Sequence, residues 1–376
     1  MSTGPNVVAL SGWARGPFEP LADVFARLVA AQGGGAALSV YRDGEPLVDL
    51  VAGEYGTGSL QLLFSVSKAV SAVAAGMAEA EGSLDLDEPL AAFWPALDRP
   101  STRAITTRMV LSHRSGLASL DRELSLEELL AGEAEHAVEQ QEPYWEPGTA
   151  HGYHAFTFSP LLNGVFRRVL GRDVGDYLAD RIAAPLGLDL WIGTPEEERG
   201  RVERIRYAEP RRTPAQAAWL AASPIPPGST GRLAARMDLF NAPAVLGARW
   251  PSTSGVGDAR SLGRLFAAVL AEVDGVRLLD EAALRRLVAV RSDGVDRVLG
   301  TITRFGSGVQ LPFPQFAQLS AASFGHEAAG GSAVVVDPEA GISIGFTTNV
   351  HPALTGAAPA FLALLPAIRH CLDVEA

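Results

Sequence analysis

A single cysteine, Cys371, stands in a chain of 376 residues, so no disulfide can form within it and its stability has to come from packing. Set in an apolar C-terminal stretch, that thiol reads as buried and inert. Long apolar runs are missing as well. No window reaches the roughly 18 consecutive apolar residues that a bilayer crossing needs, and Met1 to Trp13 lacks the basic segment followed by an apolar one that a secretory leader carries. The expected setting is the cytoplasm, away from membranes. Positive charge is scarce: 31 Lys and Arg face 43 Asp and Glu, for a formal net charge of -12. Such a chain repels phosphate backbones and anionic lipid, which excludes nucleic acid as an expected partner. A Gly-x-Ser-x-Gly elbow, a Gly-x-Gly-x-x-Gly fingerprint and a P-loop are all absent, and no cofactor is implied.

What is present is the composition of a packed enzyme-sized protein, with 47% hydrophobic and 20% charged residues, which speaks against disorder. Glycine and proline are spread along the chain without a linker, so residues 1–376 are expected to form one domain with two interleaved parts. Leu21, Val24, Phe25, Leu28 and Val29 recur at helical spacing within Pro20 to Gln32, which predicts an amphipathic helix. Ala36 to Tyr41 and Leu47 to Ala52 flank Asp43-Gly44 as a β-hairpin. From Ser65 an alanine-rich helix is expected to run to about Glu81, stopped by Gly82. Helical patterns broken by turns at Pro147-Gly148 and at Pro224 to Gly228 dominate from about residue 86 to 249. Ser332 to Val336 and Ile342 to Thr347 form a second hairpin, and Pro359 to Leu372 a closing apolar helix. Strands at both ends around a helical middle imply an α+β fold. One antiparallel sheet is assembled from the two termini (about 1–85 and 250–376), with the helical part (about 86–249) packed beside it.

The chemistry centres on Ser65-Val66-Ser67-Lys68. On a helix, a spacing of three sets the lysine one turn above the serine on the same face. A serine alkoxide is inaccessible at neutral pH, so a neighbouring base has to take its proton. Lysine can do so if burial lowers its pKa from about 10.4. The helix N-terminus adds N–H groups for a developing oxyanion. By itself the tetrapeptide also fits an N-capping serine beside a solvated lysine, and Tyr153 by itself also fits a packing aromatic.

The surrounding motifs extend the pattern. Leu63-Phe64-Ser65-Val66-Ser67-Lys68 is followed by Gly82-Ser83-Leu84-Asp85-Leu86-Asp87-Glu88-Pro89, Ile105 to Met109 and Leu111-Ser112-His113-Arg114-Ser115-Gly116-Leu117. Then come Trp145-Glu146-Pro147-Gly148-Thr149, Tyr153, Phe324-Gly325-His326 and Gly330-Gly331-Ser332. In order and spacing these resemble the class C β-lactamases and penicillin-binding proteins, with their esterase-type relatives, the family VIII carboxylesterases. The resemblance covers roughly residues 20 to 370. It implies a β-lactamase/transpeptidase-like fold, Ser65 as nucleophile, Lys68 as its base, and Tyr153 as a proton shuttle whose pKa two nearby cations would lower. It also implies an oxyanion hole made by the backbone N–H groups of Ser65 and Ala329.

Two departures bear on substrate. Ala155 stands where penicillin-recognising members carry asparagine, and the third motif reads His326-Glu327-Ala328 in place of the family's usual Lys-Thr-Gly or His-x-Gly. His326 is expected to donate a hydrogen bond to Tyr153, and Glu327 to put negative charge where a β-lactam carries its own. Both changes favour neutral esters over β-lactams. The implied partner is a small-molecule ester or acyl compound. Ester hydrolysis is expected, with acyl transfer to an alcohol or amine, D-peptidase or amidase action, and weak β-lactamase action as alternatives. His151 and His154 lack further ligands for a metal, and His113 is expected to pack and hold the loop that follows.

Overall fold

Asp43 and Gly44 both take positive φ, 49° and 88°, the backbone that joins two twisted antiparallel strands through a tight turn. They connect β2 (Gly35–Arg42) to β3 (Glu45–Gly53) with Leu38 opposite Leu50. Near the other end of the chain, β11 (Ala333–Asp337) and β12 (Ile342–Thr348) form the second expected hairpin. β12 pairs with β2, so the two termini share one antiparallel sheet of order β1-β3-β2-β12-β11-β10. Its edges are β1 (Leu10–Ala14) and β10 (Phe324–Glu327). β1 has no counterpart among the expected strands, because its side chains are exposed or half-buried and show no alternation. The computed structural model describes residues 8–207, 237–316, 319–351 and 356–375, together with positions 214, 218, 221, 222 and 225. The turn expected at Pro224 to Gly228 lies, apart from Ile225, outside the described residues, as do residues 1–7 of the N-terminal stretch.

Both faces of the sheet are buried. Val335, Ile344 and Phe346 pack under α1 (Leu21–Gln32) and the C-terminal helix Pro359–Glu375, where Cys371 is also buried. Val334 and Val336 point the other way, into the core shared with α2 (Val66–Ala80) and the helix Ala259–Leu270. That helix lies close against the sheet because Gly345 has no side chain: a Cβ there would sit 2.2 Å from the Ala259 carbonyl oxygen.

α2 runs through the core between the sheet and the helical part. Every residue from Val66 to Ala78 is buried, as expected of a helix surrounded by other elements on all sides. Each fully buried valine in it contributes about 1.5 to 3 kcal/mol relative to exposure. Beside its N-terminus is a three-stranded sheet that the sequence pattern does not reveal, β4 (Gln61–Leu62), β5 (Leu190–Ile192) and β7 (Gly255–Gly257), with β7 in the centre. Two further pairs complete the strands: β6 (Arg206–Tyr207) with β13 (Val350–His351), and the hairpin β8 (Ser292–Val295) and β9 (Ile302–Phe305). Among the described residues no helix is long and apolar enough to cross a membrane.

Candidate active site

The chain enters α2 through a tight turn fixed by its neighbours. Leu63 N–H donates to the Gly255 carbonyl at 2.7 Å, and Gly255 N–H returns a bond to Ser67 Oγ at 2.9 Å. Between these anchors Phe64 adopts φ 45°, a left-handed conformation that costs a side-chain-bearing residue on the order of 1 kcal/mol or more. Its ring is held against Phe240, with centroids 4.9 Å apart, and occupies the space a Cβ on Gly330 would need, 2.4 Å from Phe64 Cδ2. The strain at Phe64 turns the next residue, Ser65, onto the helix N-terminus, half-exposed, while Lys68 one turn on is fully buried.

Lys68 Nζ donates to two backbone carbonyls, Ala155 at 3.0 Å and Ser252 at 3.1 Å, and lies 4.7 Å from the centre of the Tyr153 ring. No carboxylate pairs with it among the described residues. Burial therefore drives its pKa well below the ordinary lysine value. Lys68 is also the only lysine in the chain; every other cationic side chain apart from histidine is arginine. That fact was countable in the composition, and it carries chemical information because arginine cannot lose its proton in this range. Ala155 contributes through its backbone oxygen, and Ser252 was not foreseen, since a carbonyl ligand leaves no mark on side-chain identity.

The lowered phenol pKa expected for Tyr153 is not found. Burial raises it above 10, the nearby Ser65 hydroxyl only partly opposes the rise, and the charges of Asp296 and Glu327 add to it. The cations expected beside Tyr153 are disfavoured: burial drives the Lys68 pKa well below its ordinary value, and burial first, then any charge on Lys68, push that of His326 down to about 3.

His326 is corrected in a second respect. Its Nδ1 lies 2.6 Å from the Glu327 carbonyl oxygen. A carbonyl can only accept, so Nδ1 carries the hydrogen and Nε2 is left as a bare acceptor. Nε2 has no partner among the described residues, and the ring centre stands 6.2 Å from that of Tyr153. A hydrogen bond donated by His326 to Tyr153 is therefore not available in this arrangement. Glu327 turns its carboxyl toward the segment before the C-terminal helix and accepts Ala357 N–H at 3.2 Å. Burial pushes its pKa up to about 7, so the full negative charge expected there is present only above neutrality.

In the turn that follows β10, the Ala329 N–H has no acceptor among the described residues, and neither does the Ser65 N–H. His113 packs against the Tyr153 loop: it takes φ 61°, its Nδ1 accepts His154 N–H at 3.1 Å, and its ring centre is 4.8 Å from that of Tyr153. His151 and His154 do not converge on a common point as metal ligands. His151 Nε2 meets Thr303 Oγ1 at 3.0 Å, whereas His154 meets Ser115 Oγ at 2.6 Å and the Gly152 carbonyl at 2.7 Å.

The fold is that of the serine hydrolases related to β-lactamases, and the comparisons agree. The Beta-lactamase family profile matches residues 21–367, and the chain belongs to that family. The esterase/beta-lactamase LipL of Mycobacterium tuberculosis is 30% identical over 348 residues, which cover 84% of this chain and 77% of LipL. Among solved structures, a penicillin-binding protein homolog from Caulobacter crescentus superposes with TM-score 0.84 at 30% identity, covering 96% of this chain and 100% of its own. EstA from Arthrobacter nitroguajacolicus does so with TM-score 0.86 at 28% identity, covering 97% and 100%.

The contact between Phe64 and Gly330 ties the turn before Ser65 to the β10–β11 turn that carries Ala329. Gly330→Ala should leave the protein folded but lower ester turnover on the order of tenfold to a hundredfold, because a misplacement of about 1 Å has that effect. Adding Phe64→Leu should recover part of the loss. Melting temperature and steady-state hydrolysis of p-nitrophenyl acetate check both outcomes.

Proposed function

We propose that this chain is a cytoplasmic enzyme that hydrolyses carboxylic esters through an acyl-Ser65 intermediate. The observation that carries this reading is the environment of Lys68, a fully buried amine with no carboxylate partner among the described residues and two carbonyl acceptors. A neutral amine has two N–H donors and one lone pair. With both donors on carbonyls, the lone pair is left to act as a base.

In the proposed reaction Lys68 takes the Ser65 proton as Oγ attacks the ester carbonyl carbon. The carbonyl electron pair moves onto oxygen, facing the free N–H groups of Ser65 and Ala329. When the carbonyl re-forms, the C–O bond to the alcohol breaks. Tyr153, kept protonated by burial, gives its phenol proton to the departing oxygen and recovers one from the Lys68 ammonium. Water then repeats the sequence on the acyl-serine, releasing the acid and restoring Ser65. The name of LipL, an esterase/beta-lactamase, supports an ester substrate. The unprotonated His326 and the acid Glu327 leave the third motif without a cation for a substrate carboxylate.

Ser65→Ala should abolish turnover and labelling by a fluorophosphonate while leaving the melting temperature near the parent's. Lys68→Ala and Tyr153→Phe should each lower kcat on the order of a hundredfold or more, as loss of a positioned proton-transfer group does. Full ester hydrolysis by folded Ser65→Ala would refute the assignment.

The pH dependence has a defined sign. Lys68 becomes a base as it loses its proton, so kcat/KM should rise with pH along one limb and then level off. The midpoint should lie well below the ordinary lysine value. No second rise should appear near pH 10, the ordinary tyrosine region, because Tyr153 stays protonated. With one lysine in the chain, carbon-13 labelling of lysine gives a single side-chain resonance whose titration should match the kinetic limb.

Short neutral p-nitrophenyl esters should be turned over much faster than penicillins or nitrocefin. As pH rises from 6 to 8, Glu327 passes through its pKa of about 7 and gains charge, so the preference should widen. Replacing Glu327 by Gln should flatten that trend. Combining Glu327→Thr with Ala328→Gly should narrow the gap. Nitrocefin rates equal to those of the best ester across this range would overturn the substrate class.

A further inference from the structure

We propose that Asp296 is the positioning residue that sets Tyr153 in place, an inference that rests on the role given to Tyr153 above. Asp296 follows β8 in the turn that leads to β9, and it is completely buried. Its Oδ1 accepts three backbone N–H groups: Val298 and Leu299 of the turn, each at 2.8 Å, and Tyr153 of a loop 143 residues earlier, at 3.1 Å. Its Oδ2 accepts the Thr303 hydroxyl at 3.2 Å, and that hydroxyl also meets His151 Nε2 at 3.0 Å. The Arg297 N–H donates to the His151 carbonyl at 3.0 Å. The loop from His151 to Tyr153 is thus fastened to this turn through the His151 ring, the His151 carbonyl and the Tyr153 N–H.

No cation pairs with Asp296 among the described residues. A buried carboxylate is expensive unless its oxygens are well supplied with donors, and here four donors fill that role. The turn alone would need only its own two N–H groups capped. The bond to Tyr153 is what the buried side chain adds. The hairpin meets the site in two ways: Phe305 of β9 is buried, its ring stacked on that of Tyr153 with centroids 6.1 Å apart, while the polar clasp holds the backbone of the loop. The negative charge of Asp296 also opposes ionisation of the phenol, in keeping with a Tyr153 that acts as a proton donor.

The experiment is a double-mutant cycle on the full chain with p-nitrophenyl butyrate, reading kcat and KM separately for Asp296→Ala, Asp296→Asn, Tyr153→Phe and Asp296→Ala combined with Tyr153→Phe. Asp296→Ala should lower kcat on the order of a hundredfold with little change in KM. Asp296→Asn keeps the accepting oxygen and should recover most of that loss. In the Tyr153→Phe background, Asp296→Ala should change kcat within about twofold, because a residue that acts through Tyr153 has nothing left to position. Additive losses, or an Asn variant as impaired as Ala, would overturn the proposal and leave the reading of Tyr153 standing. A Tyr153→Phe variant as fast as the parent would remove that reading, and the proposal with it. If Asp296→Ala does not fold, Thr303→Val removes the bonds to Oδ2 and to His151 and serves in its place. Its loss in kcat should vanish in the Tyr153→Phe background, and a loss that persists there overturns the proposal.

Discussion

Removing one amine from water organises the site. Lys68 sits on a helix buried over its first 13 residues, so its side chain has no route to solvent. The low-dielectric surroundings disfavour the ammonium. The two carbonyls that receive its N–H groups come from segments far apart in sequence, Ala155 beside Tyr153 and Ser252 just before β7. Both are neutral acceptors, which hold the amine in position without restoring its charge as a carboxylate would. The same burial acts on Tyr153, whose phenol keeps its proton, and the proton donor and the base of the proposed reaction are assigned by solvation.

Around that amine the backbone is arranged by close approaches that only small residues allow. Gly345 lets the helix Ala259–Leu270 lie on the sheet, and Gly330 makes room for the ring of Phe64. The first closeness stacks the helix on the central strand pair. The second ties the strained residue before Ser65 to the turn bearing the Ala329 N–H, so the two free N–H groups belong to segments in direct contact.

The parts of this arrangement legible in the sequence were those written in local pattern. Alternation with turn residues marked β2, β3, β11 and β12, and the serine-lysine spacing marked the start of α2. Strands of two or three residues such as β4, β5 and β7 are too short to show a period, so the sheet that anchors the turn before Ser65 was invisible. The state of each titratable group was also out of reach, because it depends on distant chain. The phenol of Tyr153 responds to burial and to Asp296, and the tautomer of His326 is set by the next residue's carbonyl. Asp296 carried no motif, since its importance lies in an N–H brought to it from 143 residues away. The uniqueness of Lys68 was in plain view, and reading it required asking what arginine cannot do.

The restriction of lysine to position 68 has an effect beyond the site. An activated acyl group attached to serine is open to any unprotonated amine that can approach it, and exposed lysines supply such amines on most protein surfaces. Here the basic residues of the surface are arginines, whose guanidinium groups are permanently protonated and poorly nucleophilic. On the proposed mechanism, acyl groups carried on Ser65 meet surface cations that cannot intercept them, and the exterior is protected from that chemistry by the choice of base.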